Sequence, residues 1–179
     1  MPFADQLTLA RAAAVPAVVL LFAWDFPGHD YWATAVFAVA MATDYVDGWW
    51  ARRTGRTSDL GSLLDPVADK LLVIAALVML TGRVFPAWMI AAIVVREFLV
   101  TALRLAALER GVVMGARDLG KLKTSAQAVA AGVGGLAAAG ALSDDVAWWA
   151  GLVAVVLTWV SGLDYARIAP RLLRGQQPA

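Results

Sequence analysis

The 179-residue sequence is 61% hydrophobic and only 16% charged, and its mean hydropathy is +0.69. A soluble domain of this length is usually nearer half apolar and more heavily charged. A net charge of +1 offers no basic surface for nucleic acid, and the lack of cysteine excludes disulfides and thiolate metal sites.

A bilayer core needs about 20 apolar residues per helix. Six stretches suit that length: 7–24, 31–50, 63–80, 86–108, 124–142 and 146–165. The predicted fold is therefore all-α, a polytopic six-transmembrane-helix bundle forming one domain over 1–179. The first stretch has no basic leader or small-residue cleavage site, so it reads as a retained helix rather than a signal peptide. The single histidine, His29, falls in the connection FPGHD and is expected to be solvated, with no role. Most of the eight tryptophans lie near predicted helix ends, as interfacial anchors do. Small residues over 126–141 permit close helix approach, either inside the bundle or across a homodimer.

Lysine and arginine in short loops set orientation. One side gathers Arg11, Arg52, Arg53, Arg56, Arg110, Arg117, Lys121, Lys123, Arg167, Arg171 and Arg174, and the other has only Arg83. Both termini and the connection between the second and third helices are then cytoplasmic.

That connection is flanked by Asp44, Asp47, Asp65 and Asp69. Carboxylates at the edge of hydrocarbon are costly and mark function. On a helix Asp44, Asp47 and Ala51 share a face, as do Asp65 and Asp69 on the next. Four converging carboxylates repel unless cations lie between them, the layout of a two-metal site for oxygen-liking ions. Gly48 and Ala51 leave room beside that face, Arg52 offers a planar fork for phosphate, and Gly61 suits a tight turn. A divalent-cation carrier would instead spread acidic residues through the bilayer.

Asp44-x2-Asp47-Gly48-x2-Ala51-Arg52-x8-Gly61-x3-Asp65-x3-Asp69 resembles the motif of the CDP-alcohol phosphotransferase family at all eight positions. The resemblance implies a six-helix bundle, usually homodimeric, whose site opens near the cytoplasmic face. It implies two divalent cations, Mg²⁺ or Mn²⁺, held by Asp44, Asp47, Asp65 and Asp69, with Asp69 also the catalytic base. Gly48, Ala51, Arg52, Gly61 and Thr8 are the implied nucleotide and pyrophosphate contacts. An acceptor hydroxyl attacks the lipid-bearing phosphorus of a CDP-linked substrate, and CMP leaves. Relatives often carry Asn just before the Leu7-Thr8 pair, where this chain has Asp5.

The acceptor depends on other stretches. Helix four carries Arg96 and Glu97 near its middle, and Glu97, Thr101 and Arg104 fall on nearly one face. An ion pair holding the helix and a phosphate pocket both account for them. Gly120-Lys121-Leu122-Lys123-Thr124 opens helix five with two cations and a hydroxyl, as either an ordinary basic boundary or an anion site. REFLVTALR followed by GKLKT looks like the phosphatidylglycerophosphate-forming branch of the family. There the donor is CDP-diacylglycerol and the acceptor glycerol 3-phosphate, with Arg104, Lys121 and Lys123 meeting the acceptor phosphate. Inositol phosphate and phosphatidylglycerol are the alternative acceptors. A bacterial plasma membrane is the expected location.

Overall fold

The structure, a computed structural model, describes residues 3–54, 70–109 and 118–173, and side chains over 10–43, 70–109 and 120–163. Six helices occupy them: α1 (Phe3–Ala23), α2 (His29–Thr54), α3 (Lys70–Met79), α4 (Ala87–Glu109), α5 (Asp118–Ala138) and α6 (Asp144–Leu173). Among the described residues there is no strand, only an isolated bridge between Thr81 and Phe85. The all-α expectation holds. Four helices run past the predicted apolar stretches: α1 from Phe3, α2 through Thr54, α5 from Asp118 and α6 through Leu173. Apolar composition tracks the surroundings of a helix, whereas backbone hydrogen bonding continues into its charged ends.

One described segment, Asp144–Leu163, is long and apolar enough by itself to cross a membrane; Ala10–Ala23 and Lys70–Met79 are shorter apolar helices. On α4 the charged side chains of Arg96, Glu97 and Arg104 interrupt the apolar run.

The helices pack α1 on α2, α2 on α5, α5 on α6 and α6 on α4. Phe85, in the connection between α3 and α4, is 1% exposed. It is clasped by two glycines. A Cβ on Gly134 of α5 would lie 2.5 Å from its ring, and one on Gly151 of α6 would lie 2.8 Å from it. Gly135 meets Thr34 of α2 just as closely. These two small residues of the 126–141 stretch therefore serve packing within the bundle. Leu72, Leu77, Leu80, Met89 and Ile93 belong to the same buried core as Phe85.

α5 ends where Gly140 turns at φ 75. The Gly140 amide donates to Ala137 (2.8 Å) and the Ala141 amide to Leu136 (2.9 Å), a left-handed cap that turns the chain back into α6.

At this end of the bundle Arg83 donates both arms of its guanidinium to Asp30, at 2.9 and 2.7 Å. The bond raises the Arg83 pKa above its ordinary value despite some desolvation. Arg83, the one cation expected on this side, is thus neutralised locally. His29 departs from expectation: it is partly buried and its Nδ1 donates to the Leu21 carbonyl at 3.3 Å. The short connection folds it back over the end of α1, out of full solvent.

Candidate active site

The unbroken α2 backbone carries Asp44, Asp47, Gly48, Ala51 and Arg52 in its last turns. Asp44, Asp47 and Ala51 accordingly share a face. Thr8 lies on the α1 backbone. Gly61, Asp65 and Asp69 lie outside the described residues.

The contact between Thr34 and Gly135 fixes how α2 and α5 align. Both α2 and α5 lead from this contact toward the basic end, in opposite chain directions. At 1.5 Å per residue, about 15 Å of α2 separates Thr34 from Asp44, and about 18 Å of α5 separates Gly135 from Lys123. The α2 backbone at Asp44 and Asp47 and the start of α5 thus stand at one level of the bundle.

At that level a cavity of about 360 Å³ opens between α3, α4 and α5. Lys70, Arg96, Glu97, Thr101, Arg104, Lys121 and Lys123 line it. Arg104, Lys121 and Lys123, separate in sequence, are brought together here. The cavity's five basic residues face a single carboxylate, Glu97, among the described residues. Such a site favours a phosphorylated ligand, because Lys and Arg donors hold phosphate oxygens strongly where water is scarce.

Glu97 is the hub. Its Oε1 accepts from Lys123, from Arg96 at 3.1 Å and from Gln127 at 3.4 Å. Its Oε2 lies 4.0 Å from the Lys70 ammonium. Arg96 also donates to Ser161 of α6 at 2.9 Å, and Gln127 donates to Thr158 at 2.8 Å. Arg96, Glu97, Lys123, Gln127, Thr158 and Ser161 are all buried. Burying charge is tolerable because each is paired and hydrogen-bonded. Arg96 fits only because Gly162 lacks a side chain; a Cβ there would lie 2.9 Å from Arg96 Nε.

Arg96 and Glu97 form an ion pair that ties helices together, while Arg104 lines the cavity. The Thr124 hydroxyl donates to the Gly120 carbonyl at 3.0 Å, a bond within α5.

Sequence reasoning missed Lys70, Gln127, Thr158 and Ser161. Lys70 directly follows the last motif carboxylate. Gln127 lies one helical turn beyond Lys123, a spacing that could have flagged it.

An all-α bundle with a polycationic cavity beside an aspartate-bearing helix end describes a handler of phosphorylated substrates. The profile of the CDP-alcohol phosphatidyltransferase family matches residues 1–160, and the chain belongs to that family. A Bacillus subtilis protein named CDP-diacylglycerol–glycerol-3-phosphate 3-phosphatidyltransferase is 38% identical, covering 90% of this chain and 91% of its own length. A Mycobacterium tuberculosis protein named "Probable phosphatidylglycerophosphate synthase" is 39% identical over 96% of this chain and 83% of its own length. The Escherichia coli K12 protein that shares the Bacillus name is 38% identical over 69% of this chain and 71% of its own.

Proposed function

We propose that this protein transfers the phosphatidyl group of CDP-diacylglycerol to glycerol 3-phosphate, releasing CMP and forming phosphatidylglycerol phosphate. The relatives' names support the reaction. The observation that carries the acceptor is the cavity, whose Arg104, Lys121 and Lys123 suit a substrate bearing its own phosphate.

Asp44, Asp47, Asp65 and Asp69 are the proposed ligands of two divalent cations. An all-carboxylate donor set suits Mg²⁺ or Mn²⁺, and the i, i+3 spacing of Asp44 and Asp47 on α2 agrees with shared coordination. Such ions, when bound, neutralise charge on a pyrophosphate and on the attacking and leaving oxygens. Gly48 and Ala51 let the nucleotide approach α2, with Arg52, Gly61 and Thr8 the remaining nucleotide contacts. Arg104, Lys121 and Lys123 orient glycerol 3-phosphate by its phosphate. Asp69 then takes the proton of its attacking hydroxyl.

The bilayer belongs to the same proposal. Apolar side chains cover the outside of the bundle, among them Leu20, Val39, Leu71, Phe98, Val129 and Val156 on six different helices. Exposure on that scale suits lipid rather than water. Trp24, Trp32, Trp88 and Trp149 are exposed near the Asp30–Arg83 end, as an interfacial belt requires. With that end outside, six spans leave the cavity, the termini and the motif on the cytoplasmic face of a bacterial plasma membrane. A homodimer is part of this reading; Gly132 on α5 has open space before it, unlike Gly134 and Gly135.

Purified protein given CDP-diacylglycerol, glycerol 3-phosphate and Mg²⁺ should release CMP, and a chelator should stop it. Asp69→Asn should keep nucleotide binding and lose transfer. CMP release that survives chelation removes the metal assignment, and unchanged turnover in the variant removes the base.

A further inference from the structure

We infer that Glu97 is a positioning residue for the acceptor: its carboxylate aims the ammonium groups of Lys123 and Lys70 into the cavity. The inference rests on the proposed phosphorylated acceptor and assigns Glu97 a role in binding it.

Glu97 touches cations from two helices that the motif does not join. Oε1 accepts from Lys123 on α5, and Oε2 lies 4.0 Å from Lys70 on α3. Lys70 sits next in sequence to Asp69, so this carboxylate links the acceptor cavity to the motif. A lysine ammonium has three donors on a flexible stem. One donor of Lys123 goes to Glu97, leaving two to meet a phosphate. The restraint reduces the side-chain entropy lost when the ligand binds. Arg96 does not share this role, because Ser161 and the bare backbone of Gly162 hold it against α6. Its bond to Glu97 at 3.1 Å, with Gln127 beyond, fixes the carboxylate in turn. A carboxylate would ordinarily weaken anion binding. Here it offsets one charge of five and fixes where two of the others stand.

The test is steady-state CMP release by wild type, Glu97→Gln, Glu97→Asp, Lys123→Met and the Glu97→Gln/Lys123→Met double variant, varying each substrate in turn. Glu97→Gln should raise the KM for glycerol 3-phosphate about ten-fold. The KM for CDP-diacylglycerol should stay within about two-fold, since the donor does not use these lysines. Glu97→Asp, which keeps the charge, should recover part of the loss. In the Lys123→Met background, Glu97→Gln should add less than it does in wild type, because much of its effect passes through that lysine and only the part through Lys70 is left. Equal rises in both KM values, or a full second loss in the double variant, would overturn the inference. Should Glu97→Gln not accumulate as folded protein, Glu97→Asp decides alone: a selective rise in acceptor KM supports the role, and an unchanged or unselective KM removes it. Wild type that turns over inositol phosphate but not glycerol 3-phosphate defeats the acceptor assignment alone. The Glu97 comparison is then made with inositol phosphate.

Discussion

The Lys123 ammonium donates to the Glu97 carboxylate across the α4–α5 boundary, and both side chains are buried. A charge in a low-dielectric interior persists only with partners, and this pair has them on every side. Gln127 extends the network to Thr158, which is 0% exposed. Thr158→Val preserves shape and removes the acceptor of that bond. It should lower stability by about 1–3 kcal/mol. The check is the midpoint of thermal unfolding in detergent; an unchanged midpoint would show that the network does not bear on stability.

Arg104 stands on the cavity wall two turns from Glu97. Truncating it removes a phosphate donor without opening the four-helix network. Arg104→Ala should raise the KM for glycerol 3-phosphate about ten-fold or more. Donor affinity should change little. Equal losses for both substrates would assign Arg104 to folding instead.

Phe85 is held between Gly134 and Gly151 so closely that a methyl on either would overlap its ring. Within a bilayer, helix association depends on this kind of close packing, because lipid is as apolar as the helix surfaces. Gly134→Ala should therefore destabilise by about 1–3 kcal/mol. Phe85→Leu in the same chain should recover part of that by making room. Thermal unfolding of the single and double variants measures the coupling.

Asp30 and Arg83 form a two-bond pair at the opposite end from the cavity, with Asp30 buried and Arg83 partly exposed. Asp30→Asn should lower stability by about 1–2 kcal/mol, a range discounted for the exposure of Arg83. Its kcat and both KM values should stay near wild type. A large loss of activity at unchanged stability would mean that this end communicates with the site.

Much of the architecture was legible because its signals are local. Helical composition, the motif spacing and the cations Arg104, Lys121 and Lys123 can each be read within a few turns. Their meeting in one cavity, and the pairing of Lys123 with Glu97, depend on how separate helices align. The bond from Arg83 to Asp30 spans 53 positions, and no periodicity encodes it. The glycine clasp on Phe85 is hidden for the same reason: small residues permit close approach without naming what approaches. Reading the motif as ending at Asp69 concealed Lys70, whose place is set by α3 facing α4. His29 showed the opposite limit, since a loop residue can still be folded over a neighbouring helix end.

The most direct test of the proposed reaction is an acceptor panel. Purified protein receives CDP-diacylglycerol and a divalent cation, with glycerol 3-phosphate, inositol phosphate or phosphatidylglycerol supplied separately. CMP release and the lipid product are measured together. The predicted result is CMP release matched by phosphatidylglycerol phosphate with glycerol 3-phosphate alone. Turnover with inositol phosphate or phosphatidylglycerol, and none with glycerol 3-phosphate, would contradict it.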